Sequence, residues 1–138
     1  MSHLINIFLE PGKVFAELKE KPSFVAPFVI VTLVATLMAF MYFMKVDSAW
    51  FIDHSLLSSG AEMTKAEIEQ AKNFMPGAKF MGYLSLVMTP ITMAVVSLII
   101  ALYYLLAGKI SGSTIGFKHG LSLACWGSMP MLLGTIVA

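Results

Sequence analysis

Arginine is absent from this 138-residue chain, and all nine basic residues are lysines. Bidentate clamping of phosphate or carboxylate needs the guanidinium fork, so recognition of that kind is excluded. Charge of either sign is scarce: Asp, Glu and Lys supply 12% of residues, against roughly 25% in an ordinary soluble domain. So few charges cannot hydrate a globular surface. With 58% apolar residues and a mean hydropathy of +0.83, much of the exterior must face lipid. The single cysteine, Cys125, has no partner for an internal disulfide. The net charge of +1 comes without a concentrated basic patch, so no nucleic-acid partner is expected. No cleavable signal peptide is expected either, because charged residues precede the first long apolar run, which begins after Pro22.

Three apolar runs are present. Residues 23–44 carry no charge and match the roughly 20 residues that a helix needs to cross a bilayer. Pro27 falls in the first turns, where a missing N–H costs least. Lys45 and Asp47 close the run, and Trp50 and Phe51 follow at the expected interface. The second run, 80–107, is longer than the hydrocarbon requires, so tilt or an interfacial turn near Tyr83 must absorb the excess. Pro90 lies inside it and predicts a kink, with Tyr103 and Tyr104 at the far boundary. The third run, 120–138, predicts a further span with a second kink at Pro130. No charged or aromatic anchor closes it, which suggests a piece of a longer protein.

Between the first two runs, residues 45–79 hold five acids and four lysines. Thr64 and Glu67 have capping-box spacing and predict a short helix over about 64–75, ended by Pro76-Gly77. Lysines outnumber acids in the 108–118 connection, and the arm carries Lys13, Lys19 and Lys21. The positive-inside rule therefore places the N-terminus in the cytosol and the 45–79 loop outside, although Lys45 and Lys79 pull the other way. Residues 1–21 form an amphipathic arm divided at Pro11-Gly12. Leu4, Ile5, Phe8 and Leu9 share one helical face, and Val14, Phe15 and Leu18 another. Each half is too short to span and suits either the membrane interface or a loop of the same protein.

Candidates for chemistry are few. The first two runs contain no Asp, Glu, Lys or His, the residues that mark proton relays and substrate paths in membranes. His119, beside Lys118 at the start of the third run, reads either as a relay or lipid-phosphate contact or, more simply, as an interfacial histidine facing water or head groups. His3 and His54 are isolated, and no spacing of His, Cys, Asp and Glu suggests a metal site. Ser128 lacks the second glycine of a nucleophile elbow. Cys125, in its apolar setting, reads as a packing residue before a reactive thiol. Met38, Met41 and Met44 follow helical spacing, but no Cys or His stands by to complete a soft-metal site, so gap-filling or lipid contact explains them. No catalytic residue and no cofactor is expected. The strongest pattern concerns assembly: Gly116, Gly120, Ala124 and Ser128, continuing from Gly112, recur every four positions. They predict a small-residue ridge where another helix can approach, unless chance spacing in a glycine-rich stretch produced it.

The expected fold is all-α, a multi-pass transmembrane helical bundle with an N-terminal interfacial amphipathic arm. The arm also carries a resemblance. Pro11, Phe15, Leu18, Glu20 and Pro22, leading into a run with Pro27, resemble the opening of bacterial members of the Yip1 family. Trp126 and Pro130 are similar to the family's Y-x-x-x-P element. The resemblance covers the whole chain and implies a Yip1-like transmembrane domain over 22–138, the first three of five spans, in a bacterial inner membrane with a cytosolic N-terminus and no catalytic centre. Eukaryotic relatives are associated with Rab-type GTPases, but the D-L-Y-G-P motif of those members is missing here, which counts against GTPase binding. The leading expectation is a non-enzymatic membrane scaffold or subunit of a larger assembly, whose partners are the bilayer and other membrane subunits or further copies of itself. The alternative is a transporter or channel component, with Pro90, Thr89, Thr92 and Ser97 lining the path. A membrane enzyme comes third and would need residues from a further C-terminal part.

Overall fold

Proline, glycine and a few capping side chains set the helix limits along this chain. The structure is a computed structural model that describes residues 2–58 and 64–137. Glu62 of the inter-span segment and Ala138 at the end of the third apolar run lie outside them. The arm forms α1 (Ser2–Leu9) and α2 (Pro11–Glu20), with Pro11 at the first turn of α2, where its lost N–H needs no partner. Pro22 forces the preceding Lys21 out of the helical region, at φ −129° and ψ 80°, and α2 stops there. The first run becomes α3 (Val25–Lys45) and the second α6 (Ala78–Ile110). At about 1.5 Å per residue these are about 32 and 50 Å long.

Only 17% of the most apolar stretch of α3, and 11% of that of α6, is buried within the protein. A core helix of a soluble domain would be mostly covered. Here Val29, Leu33, Leu37, Val95, Ile99 and Leu102 stand outward, as lipid-facing side chains do.

Between α3 and α6 the chain forms α4 (Ser48–Ser58) and α5 (Lys65–Phe74). The capping box is present as spaced in the sequence: the Thr64 N–H donates to Glu67 Oε2 at 2.7 Å, and the Glu67 N–H to Thr64 Oγ1 at 3.4 Å. Helix α4 is an addition to the single short helix expected between the long runs. Its signal is Asp47, whose Oδ1 accepts from the Trp50 N–H at 2.9 Å and so satisfies a first-turn donor.

The third run is not one unbroken helix over 120–138. It forms α7 (Phe117–Gly127) and α8 (Met131–Val137), separated by a turn at Ser128, Met129 and Pro130. Pro130 cannot donate to the helical ladder, and the bonds across the turn tighten to three-residue spacing, Met129 N–H to the Trp126 carbonyl and Met131 N–H to that of Ser128. Helix α6, by contrast, runs continuously through Pro90.

The chain packs as two units, Met1–Ala35 with Thr89–Ala138, and Thr36–Met88. In the first, Ile7, Val14, Leu18, Trp126, Met129 and Leu132 form the buried cluster, and Ile30, Val31 and Val34 of α3 pack against it. In the second, Tyr83 meets Phe40 edge-on at 6.0 Å, and Phe43 meets Phe51 at 5.5 Å. The Ala78 N–H donates to Ser48 Oγ at 3.2 Å, and Lys72 pairs with Asp53 at 2.6 Å.

Candidate functional site

Two side-chain donors from α7 converge on the short segment of chain between the arm and α3. The residue four on from Ser23 is Pro27, which has no N–H to give, so the Ser23 carbonyl lacks a helical partner and takes two donors from α7 instead. Ser122 Oγ donates to it at 2.7 Å and Trp126 Nε1 at 2.8 Å. Ser122 and Trp126 sit one turn apart on α7, so both reach one acceptor. The Trp126 ring also meets His3 of α1 at 6.0 Å, and His3 Nε2 contacts Glu17 Oε2 of α2 at 2.5 Å. Trp126 thus joins α1, α7 and the entry to α3.

Two residues before Ser122 on α7, Gly120 lies against α6. A Cβ at this position would stand 2.6 Å from the Ala101 carbonyl oxygen, closer than real contacts allow, and Ala101 is itself fully buried. The connection that brings α7 back is set by Gly112. Its φ of +73° suits glycine, and the bonds from Ser113 N–H to the Gly108 carbonyl and from Gly112 N–H to that of Lys109 form a Schellman end to α6.

The four-residue pattern runs from cap to cap of α7, with its members in different roles. Gly116 is the N-cap in extended backbone, at φ −91° and ψ 173°. Gly120 makes the close approach. Ala124 is half-buried, and Ser128 follows the helix, its Oγ donating to the Cys125 carbonyl at 2.8 Å. Cys125 is buried.

The arm divides differently from its sequence periodicity. Leu18 is buried, while Leu4 and Phe15 pack at the edge of the cluster. Ile5 and Leu9 stand 64% and 73% exposed, Phe8 is also outward, and Pro11 is exposed at the turn. The periodicity grouped Leu4 with these outward residues and passed over Ile7, the buried anchor of α1. Ile7 is three residues from Leu4 and seven before Val14, a spacing that the break at Pro11 obscured.

A cleft of about 140 Å³ separates α2 from the start of α7. Phe15, Leu18, Ile115 and Leu123 supply its apolar wall, and Lys19 and His119 its polar edge. The Gly116 N–H donates to His119 Nδ1 at 3.3 Å, so the ring proton of the neutral imidazole sits on Nε2. Among the described residues, no cluster of three or more His, Cys, Asp or Glu side chains is placed to hold a metal ion. The chemistry on offer is binding through one ammonium, one imidazole and a greasy wall.

No curated protein and no solved structure matches the chain. A sequence model of the Yip1 domain matches residues 5–138, from the arm through both long apolar helices to α8. With its lipid-facing helices and that match over nearly its whole length, the chain is a membrane protein and belongs to the Yip1 domain family.

Proposed function

We propose that this protein is a non-enzymatic scaffold, or a subunit of a larger assembly, in a bacterial inner membrane. The observation that carries the reading is the arm. It is anchored to α7 through Ile7, Val14 and Leu18, yet presents Ile5, Phe8 and Leu9 outward, an arrangement that fits a helix pair lying on the bilayer. The close seat of Gly120 on Ala101 supports a bundle built by small-residue packing. Catalysis and transport find less to work with, since the two long apolar runs hold no Asp, Glu, Lys or His. The uninterrupted course of α6 through Pro90 favours a packed helix over the broken half-helices of substrate paths.

Chemical cross-linking of the full chain in native membranes, followed by mild solubilisation, tests the assembly role. A discrete higher complex of the chain with itself or a defined membrane partner is expected; a solely monomeric particle overturns the reading. Substrate-specific flux through reconstituted liposomes, lost with Pro90→Ala, would favour transport instead.

The same reading places the N-terminus in the cytosol and residues 45–79 outside. In a Cys125→Ala background, Gln70→Cys should react with an impermeant maleimide in intact spheroplasts, and Gly12→Cys only after permeabilisation. The reverse pattern inverts the topology.

A further inference from the structure

The cleft between α2 and α7 has a size, a lining and a position that together specify a ligand. Its 140 Å³ is the room of roughly four or five waters, well under the several hundred Å³ of a typical small-molecule pocket. It therefore takes one group of a ligand whose remainder lies outside.

The polar edge is cationic. Lys19 has no carboxylate within ion-pair distance among the described residues, and neither do Lys21, Lys109 and Lys118 of the same unit. Two of the unit's three acids are engaged, Glu17 with His3 and Glu10 with Lys13, leaving Glu20 exposed on α2. His119 offers Nε2–H, its other nitrogen being taken by Gly116. The rest of the lining is mainly apolar, with Phe15 and Leu18 from α2 and Leu123 from α7.

The cleft also lies where apolar helices begin and end. Ser122 is tied to Ser23, two residues before α3 starts, and Gly120 is seated on Ala101, two residues before the Tyr103–Tyr104 pair of α6. Interfacial tyrosines and a helix start mark the head-group level.

We propose that this cleft binds the phosphate of an anionic phospholipid, with Lys19 Nζ and His119 Nε2 donating to the phosphate oxygens and the adjoining methylenes resting on Phe15, Leu18 and Leu123. The site is independent of the scaffold role, since it needs no protein partner. A soluble phosphate ester offers the same oxygens without the chain, so the apolar wall separates the two sources.

The test uses the full chain in neutral detergent, with lipid binding read by native mass spectrometry and by thermal shift. Phosphatidylglycerol should bind and raise Tm, and phosphatidylcholine, whose head group carries its own cation, should bind at least roughly tenfold more weakly, the equivalent of one charge-assisted hydrogen bond. Lys19→Gln with His119→Gln should remove that preference. Lys19→Arg, which keeps the charge, and Lys13→Gln, which alters a lysine already paired with Glu10, should retain it. Equal binding of the two lipids, a preference unmoved by the double variant, or inorganic phosphate alone giving the full shift would each overturn the proposal.

Discussion

Replacing Gly120 by alanine tests the central packing contact of the first unit. The added Cβ would stand 2.6 Å from the Ala101 carbonyl oxygen and 3.3 Å from its carbonyl carbon and Cα. Side chains yield to such pressure by changing rotamer, but these are backbone atoms of a continuous helix. Restoring ordinary contact means parting α6 and α7 by about 0.4–0.8 Å. A gap of that size forfeits roughly a quarter to a half of each dispersion contact across the seam, and overpacking of this kind costs about 1–3 kcal/mol. Against it stands alanine's helix preference over glycine, about 0.5–1 kcal/mol. The net expectation is a loss of about 1–2 kcal/mol, or a few degrees in Tm. Gly134 in α8 is the control, because nothing lies within 4 Å of its virtual Cβ. Gly134→Ala should leave Tm unchanged or raise it slightly. Adding Ala101→Gly to Gly120→Ala should not restore stability, since the obstruction is main chain. Thermal unfolding in nanodiscs, followed by tryptophan fluorescence, gives the comparison. A Tm for Gly120→Ala at or above that of Gly134→Ala would refute the close approach.

Three further outcomes are expected. Ser122→Ala and Trp126→Phe each leave the Ser23 carbonyl one donor, so each should cost about 1 kcal/mol, with a coupling of at least about 0.5 kcal/mol when combined; strict additivity would mean that the two bonds do not share an acceptor. Ile7→Ala should destabilise by about 2–5 kcal/mol, whereas Ile5→Ala should stay within about 0.5 kcal/mol in detergent while weakening retention of the arm on vesicles, as measured by protease protection. Two hydrogen bonds from Thr64 hold the Glu67 carboxyl below its ordinary pKa. Its support for α5 is therefore whole above the ordinary carboxylate range and drains as pH falls through the lowered value. Protection factors of the first-turn amides of α5, taken relative to the intrinsic exchange rate at each pH, should fall on that acid side, and Thr64→Ala should lower them in the same way at neutral pH.

What the sequence made legible follows from the range of the forces involved. The two long helices follow from composition alone, because a bilayer asks for length and apolarity and nothing subtler. The α5 capping box was equally plain, since its two residues are three apart. In the sequence Asp47 stands out as the charge that closes a span, while its three-residue spacing to Trp50 is that of a cap. The break at Ser128–Pro130 was anticipated only as a kink, because proline's effect on a helix depends on whether neighbours re-satisfy the backbone. The α2–α7 cleft was beyond reach, for it joins Phe15 and Lys19 to His119 across about a hundred residues. His119 itself stood out for its place beside Lys118, and only the fold supplies Lys19 and the greasy wall.

The divided arm shows why one chain needs two kinds of packing. Helix α2 carries Lys13, Glu17, Lys19 and Glu20 on its exposed side, so its environment is aqueous there, and burying Val14 and Leu18 removes apolar surface from water. Each such side chain gains about 1.5–3 kcal/mol, a force that needs only greasy residues, and large ones serve best. No comparable gain drives α6 onto α7 at Gly120, where the alternative to protein contact is lipid. There the association depends on close approach, and the smallest residue serves best. The positions that tolerate least change should thus be bulky in the arm, as at Ile7 and Leu18, and minimal on α7, as at Gly120. Volume-conserving swaps in the first set, such as Ile7→Leu, should cost little by comparison. A substitution scan in which Gly120 accepted leucine as readily as Ile7 does would show that a single driving force packs both regions.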